Sequence, residues 1–325
     1  MNPQDIFSIA TKKEFEKITM KTFRHQYENN LVYKQYCDLL KKNPSNVKRI
    51  LDIPFLPIQF FKSHHVVANA NPVATTFTSS GTTGMITSKH LVTDLSFYEA
   101  SFRTAFKQFY GNIEDYVVLA LLPSYLERDG SSLIYMVNDL IEASNQPESG
   151  FYLHNYQELI DTLVRLDNDG KNVVLIGVTY ALLDLVERQK FNLKNTIIME
   201  TGGMKGRRKE MIREELHQIL TQGFGVPVIH SEYGMTELLS QAYSLGNGIF
   251  ECPPYMEVLM RDPEDPFTYV ADGKTGGINV IDLANYNSCS FIATQDLGKK
   301  YPNHSFEVLG RFDNSDIRGC NLMVY

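Results

Sequence analysis

The sequence predicts an α/β protein: a mainly parallel sheet flanked by helices, with a helical opening and a small β-rich portion near the C-terminus. Three observations predict it. The hydrophobic period near the N-terminus is helical. Through the middle of the chain, short apolar runs alternate with amphipathic stretches. Beyond about Cys252, short strand-like runs are separated by Pro, Gly and Asp.

Taken in order, Lys12 to Lys42 carries apolar side chains at helical spacing with few breakers and reads as two helices. Tyr116 to Leu122, Val173 to Val178, Thr196 to Met199 and Val226 to Ile229 read as strands. Gln157 to Leu166, Tyr180 to Gln189 and Arg207 to Leu220 are amphipathic and long enough for helices between them. That alternation suits a parallel sheet covered by helices, in which ligands gather at the carboxyl ends of strands. The last part suits an antiparallel or barrel-like unit. No internal repeat or low-complexity segment interrupts the pattern.

Composition bounds the function. With 325 residues and 43% hydrophobic content the chain can bury a large core. Its net charge of -7, with acidic and basic residues mixed, leaves no basic stripe for a phosphate backbone, so nucleic acid is not an expected partner. The opening MNPQDIFSIATKKEFEKI has no basic region followed by an apolar core, and no apolar run approaches the roughly 20 residues that span a bilayer. A soluble, cytoplasmic protein with no membrane span is expected. Cys37, Cys252, Cys289 and Cys320 are too scattered for a disulfide framework or a zinc site and are expected to be free thiols.

The most informative segment is TTFTSSGTTGMITSK, Thr75 to Lys89. Small residues let backbone approach an anion, and the hydroxyls and amides of Ser79, Ser80, Gly81, Thr82, Thr83 and Gly84 can surround a polyphosphate. Basic groups follow at Lys89 and His90, and the lysine can offset its charge. The order is not that of a Walker loop. Alone, such a segment is equally well a surface turn.

TSSGTTG resembles the phosphate-gripping signature of the acyl-adenylate-forming superfamily, which includes acyl-CoA ligases and firefly luciferase. Further segments resemble its other signatures in the expected order. SEYGMTE, Ser231 to Glu237, is similar to the Tyr-Gly-x-Thr-Glu motif. The resemblance implies that Tyr233 and Gly234 border the nucleotide, that Thr236 meets phosphate and that Glu237 helps hold Mg2+. The alternative for this segment is a helix start capped by Ser231. TGGMK, Thr201 to Lys205, resembles the turn that flanks the adenine and implies contacts from Gly202 and Gly203. TQDLG, Thr294 to Gly298, implies Asp296 as ribose ligand. GRFD implies that Arg311 also approaches the ribose and that Asp313 marks a hinge. ATP and Mg2+ are the implied cofactors. These residue types suit the chemistry: a carboxylate attacking the α-phosphate brings two anions together, so catalysis is mostly electrostatic. One carboxylate suffices for Mg2+ when phosphate oxygens supply other ligands.

A narrower resemblance covers nearly the whole chain. FRHQYENN from Phe23, DIPFLPIQFFKSHHV from Asp52, LLPSYLERDGSSLIYM from Leu121, GGINVIDLANYNSCSFIATQDLG from Gly276 and the terminal GRFDNSDIRGCNL resemble the acyl-protein synthetase (LuxE-type) family. Its namesake belongs to the fatty-acid reductase complex of bacterial luminescence. The resemblance implies activation of a fatty acid as acyl adenylate, then acyl transfer to a cysteine near the C-terminus, from which a partner reductase takes it. Cys320 stands in the matching Arg-Gly-Cys position, and Arg318 would favour its thiolate.

The implied organisation is a single adenylate-forming domain: a helical region 1–65, an α/β core with the ATP loop 66–250, a β-rich subdomain 251–313 and a tail 314–325. Only 14 residues follow Arg311. The mobile C-terminal domain with which larger acyl-CoA ligases supply a catalytic lysine is therefore expected to be absent, and Lys205 and Lys89 are candidates to replace that charge. Two alternatives remain at this level: acyl transfer to coenzyme A or a carrier protein, and a non-catalytic nucleotide-binding subunit. His230 is either beside the acyl carboxylate or a structural residue at a strand end. His64 and His65 read as loop residues, Phe55 to Phe61 as core, and Cys37, Cys252 and Cys289 as packed side chains. Tyr125, Ser131 and Ser132 receive no catalytic role.

Overall fold

A computed structural model describes residues 2–68, 72–79, 86–123, 130–153, 155–202, 208 and 211–312. Helices α1 (Pro3–Phe7), α2 (Lys12–Asn29) and α3 (Leu31–Leu39) open the chain. Local chemistry sets their limits. Thr11 and Glu14 form a reciprocal capping box at the start of α2. Asn30 closes α2, and its side chain accepts from the Tyr33 amide (3.0 Å) to cap α3.

There follow β1 (Leu56–Pro57), α4 (Phe60–Ser63), β2 (Thr75–Thr78), β3 (Lys89–Val92) and α5 (Ser96–Tyr110). The central region runs β4 (Val117–Leu121), α6 (Ser132–Ser144), β5 (Gly150–Tyr152), α7 (Tyr156–Asn168), β6 (Val173–Val178), α8 (Thr179–Arg188), β7 (Thr196–Thr201), α9 (Arg213–Phe224), β8 (His230–Tyr233) and β9 (Ala242–Ser244). The chain continues through β10 (Ile249–Phe250), β11 (Met256–Arg261), β12 (Thr275–Asp282), a 3-10 turn (Leu283–Asn285), β13 (Phe291–Lys300) and β14 (Phe306–Arg311).

Strands β5-β4-β6-β7-β8-β9 form one sheet, parallel except for the β8–β9 pair. All residues of β4 and β6 are buried, as continuous apolar runs in a two-sided parallel sheet require. A second sheet, β10-β14-β13-β12-β11, is antiparallel, with β1 added in parallel to the start of β13. β2 and β3 form a separate hairpin. The expected α/β architecture and β-rich end are therefore observed.

Two boundaries differ from expectation. The strand expected at Val226 to Ile229 begins instead at His230. Gly225 ends α9 in a left-handed conformation, and Pro227, without an N–H, cannot donate to a ladder. Val226 and Ile229 are apolar because they are buried. Helix α9 starts at Arg213, with Glu214 and Glu215 in its first turn, rather than at Arg207; residue 207 lies outside the described residues.

Candidate functional site

The Ser/Thr/Gly segment is the connection of a hairpin. Thr78 lies opposite Lys89 in the β2–β3 register. The connection is tied at its base: the Ser79 amide donates to the Ser88 carbonyl (3.1 Å), and the Ser88 amide donates to Ser79 Oγ (2.9 Å). These two bonds fix where the loop leaves the sheet. Ser80, Gly81, Thr82, Thr83 and Gly84 lie outside the described residues.

Two further motifs sit at the carboxyl ends of neighbouring parallel strands, where an open α/β sheet leaves room for a ligand. β7 ends at Thr201, followed by Gly202 at φ 72°, and β8 ends at Tyr233. Below them, Glu200 fixes the register by accepting from Ser231 Oγ (2.8 Å), Arg213 Nη1 (2.7 Å) and Thr179 Oγ1 (3.1 Å). Ser231 is therefore a strand residue and caps no helix.

Thr201 Oγ1 donates to the half-buried Glu232 carboxyl, which lies so close to Gly234 that a Cβ there would stand 2.3 Å from Glu232 Oε1. Burial, reinforced by the Glu200 charge and opposed by Thr201, pushes the Glu232 carboxyl up to about 7. Unfolded, the group titrates at about 4.3, so folding takes up a proton and stability falls as pH rises from about 4.3 to about 7. Glu232→Gln is expected to raise stability by about 2 kcal/mol at pH 8 and by little at pH 5. Urea unfolding at the two pH values checks this, and equal effects at both would refute it.

The turn after β8 carries Thr236 and Glu237, and buried side chains hold its backbone. His90 on β3 donates from Nδ1 to the Thr236 carbonyl (2.8 Å). Asn285 Nδ2 donates to the Glu237 carbonyl (2.7 Å). The Asp282 carboxylate accepts from the Leu239 and Ser240 amides (2.7 and 3.0 Å). Helix α2 braces the segment that supplies Asp282 and Asn285. Gln26 Nε2 donates to the Asn285 and Tyr286 carbonyls (2.9 and 3.1 Å), and Gln26 accepts from the Ser290 amide (3.0 Å). Asn30 Nδ2 donates to the Ser288 carbonyl (3.0 Å). Each bond satisfies a buried backbone group that would otherwise be costly to bury. Segments 23–30, 231–237 and 276–298 thus meet in one place.

The two sheets converge on a third group. Tyr233 Oη donates to Asp296 Oδ2 (2.8 Å), and Arg311 Nε donates to Asp296 Oδ1 (3.3 Å). Asp296 and Arg311 are register partners on β13 and β14. Asp296 is buried, whereas the Arg311 side chain is 81% exposed. Behind them the buried Arg261 donates to the Ile278 carbonyl (2.8 Å), Asn279 Oδ1 (2.9 Å) and the Thr294 carbonyl (2.5 Å), fixing the strand that presents Asp296.

Burial raises the Glu237 carboxyl above the usual carboxylate range, against a hydrogen bond from Ser88 and the charges of Arg311 and Lys62. Those partners place Glu237 between the base of the loop and the Asp296–Arg311 pair. A buried carboxylate whose ionisation burial opposes is stabilised by a cation placed against it. One such group beside a phosphate site suits Mg2+, which typically takes one or two protein carboxylates together with phosphate and water oxygens. Among the described residues no group of three or more His, Cys, Asp or Glu could hold a metal ion.

Of the residues singled out in the sequence, the structure gathers Ser79, Lys89, Gly202, Tyr233, Gly234, Thr236, Glu237, Asp296 and Arg311 at the ends of these strands and turns. Gly203, Lys205, Asp313 and Cys320 lie outside the described residues. His90, the basic residue next to Lys89, carries no charge in the folded chain. It is fully buried, and burial, only partly opposed by its bond to Thr236, pushes its ring down to about 4, so it is neutral and acts on the turn backbone.

His230 is half-buried, with Nδ1 3.3 Å from Tyr110 Oη, and burial lowers its pKa. Burial pushes the Cys37 thiol up to about 12 and those of Cys252 and Cys289 further up. Ser131 caps α6. Sequence reasoning missed Glu232, Asp282, Asn285 and Gln26. Their partners are distant in the chain, so no local spacing marks them.

Comparison with known proteins bears on the family and the fold. The acyl-protein synthetase LuxE family matches residues 3–102 and 140–325. A long-chain-fatty-acid–luciferin-component ligase from Vibrio harveyi is 22% identical over 353 residues, covering 98% of this chain and 89% of the relative. The ligase of the same name from Photorhabdus luminescens is 37% identical over 71 residues, 22% of this chain and 60% of the relative. Among solved structures, 2-hydroxyisobutyryl-CoA ligase in an open conformation superposes with a TM-score of 0.68 at 12% identity, covering 96% of this chain and 78% of that one. ATP-bound MatB from Rhodopseudomonas palustris gives 0.56 at 18% identity, covering 75% of this chain and 49% of that one. The chain thus spans about half the length of MatB, and at these identities the likeness shows the adenylate-forming fold. The family match extends over most of the sequence, and the chain belongs to the acyl-protein synthetase LuxE family.

Proposed function

We propose that this chain binds ATP and Mg2+, joins a long-chain fatty acid to AMP, and passes the acyl group to Cys320 for delivery to a partner reductase in the cytoplasm. Family membership makes it an ATP-dependent acid ligase that activates and transfers an acyl group. The observation that carries the site assignment is the convergence of three groups: the tied base of the Ser/Thr/Gly loop, the clamped Thr236–Glu237 turn and the Tyr233–Asp296–Arg311 triad.

In this reading the loop, with Lys89, surrounds the phosphates. Thr236 meets the α-phosphate, and Glu237 would hold Mg2+, which would screen charge between nucleotide and acid. Asp296 and Arg311 take the ribose, while Gly202 and Gly203 flank the adenine. An acid oxygen bonds to the α-phosphorus, and the bond to the β-phosphate bridging oxygen breaks with its electron pair, releasing pyrophosphate. The Cys320 thiolate then attacks the acyl carbonyl carbon, and AMP leaves. Burial holds the three described cysteines as thiols, which supports a fourth as the acceptor.

Exchange of labelled pyrophosphate into ATP, measured over a panel of carboxylic acids, tests the first half. Exchange that depends on a long-chain acid is expected. ATP binding without exchange for any acid would contradict it and favour a non-catalytic nucleotide-binding subunit.

A further inference from the structure

Residues 61–65 together with Ile86, Thr87 and Lys89, at the end of the Ser/Thr/Gly segment, line an open groove of about 360 Å³. Lys62, Ser63, His64, His65, Thr87 and Lys89 supply its polar lining, and among the described residues no carboxylate lines it. Lys62 and Lys89 are exposed, and neither forms a salt bridge with a described residue. Two lysines lining one groove, neither held in a salt bridge by a described residue, favour an anion between them.

The walls are held in place. His64 stacks on Phe60 (4.9 Å between centroids, 22°), and its Nδ1 lies 2.8 Å from Ser63 Oγ. Phe61 is buried edge-on to His90 at 5.6 Å, and His90 holds the Thr236 carbonyl. The Lys62 wall is thus joined by direct contact to the turn that carries Glu237. The charge of Lys62 reaches that carboxylate and favours its ionised form.

We propose that this groove receives the β- and γ-phosphates of the bound nucleotide and releases them as pyrophosphate, with Lys62 as a second cation beside Lys89. The proposal rests on the adenylation reading. When the bond between the α-phosphorus and the bridging oxygen breaks, its electron pair leaves with pyrophosphate, which gains one negative charge. Lys62 lines the groove together with Lys89, so in this reading that charge develops beside two ammonium groups. An ammonium there stabilises the departing charge more than the ground state.

The test uses the full chain with Lys62→Met and Lys62→Arg. Inorganic pyrophosphate with Mg2+ is titrated calorimetrically, and its KM is measured in ATP–pyrophosphate exchange. In Lys62→Met both the Kd and the KM for pyrophosphate are expected to rise about tenfold, the scale of one charge-assisted contact. The KM for the fatty acid should be unchanged, and Lys62→Arg should restore most of the loss. Pyrophosphate affinity within twofold of the native chain in Lys62→Met would overturn the proposal, as would an equal rise in the fatty-acid KM, which signals a general structural effect. Lys62-dependent pyrophosphate binding in a native chain that exchanges with no acid would retain the groove and sink adenylation.

Discussion

Glu237→Gln is expected to lower fatty-acid-dependent ATP–pyrophosphate exchange by about 10²–10³-fold, the usual cost of removing one preorganised electrostatic group from a closed site. The same change should leave the fold intact and somewhat more stable at neutral pH. Burial opposes the charge on Glu237, and an amide of the same shape removes that penalty. Lower turnover together with a higher Tm is a signature a simple packing defect cannot produce. The remaining exchange should also need more Mg2+. Thermal unfolding and exchange rates over a Mg2+ series measure both, and activity within tenfold of the native chain would refute the metal assignment.

Asp296→Ala should act on nucleotide binding rather than on the chemical step, raising the KM for ATP about 100-fold with a smaller fall in kcat. Its carboxylate accepts from Tyr233 and Arg311, so its loss removes one ribose acceptor and leaves the buried Tyr233 hydroxyl without its carboxylate acceptor. Losing that buried bond costs about 1–3 kcal/mol of stability. Asp296→Asn keeps an oxygen for Tyr233 and should recover most of the stability but little of the affinity. A KM for ATP unchanged in both variants would remove Asp296 from the nucleotide site.

Much of the fold was legible because buried parallel strands have a plain signature. β4 and β6 are apolar at every position, and the sequence shows them within a residue or two. β8 was misplaced for the opposite reason. It reads His-Ser-Glu-Tyr, with polar residues engaged in specific hydrogen bonds, while the apolar residues just before it are buried outside any strand.

The phosphate loop was legible from composition, and Glu237 and Asp296 from motif resemblance. Their supports were not legible. Gln26 reaches the Asn285 carbonyl across 259 positions, and His90 reaches the Thr236 carbonyl across 146. A bond from a side chain to a distant backbone carbonyl leaves no periodicity and no spacing. His90 shows the consequence. Next to Lys89 it reads only as a further basic residue, but alternation along β3 turns it inward, where burial keeps it neutral. The groove at Lys62 escaped for a similar reason, since its walls come from two segments joined only by the fold.

The central claim is that one chain both activates the acid and accepts the acyl group. Intact-protein mass measurement after incubation with ATP, Mg2+ and a series of fatty acids tests it most directly, with Cys320→Ser in parallel. The account predicts a hydroxylamine-labile gain of one acyl group in the native chain and no gain in the variant, with pyrophosphate released by both. Pyrophosphate release with no adduct on either protein, and thioester formation on added coenzyme A instead, would contradict it.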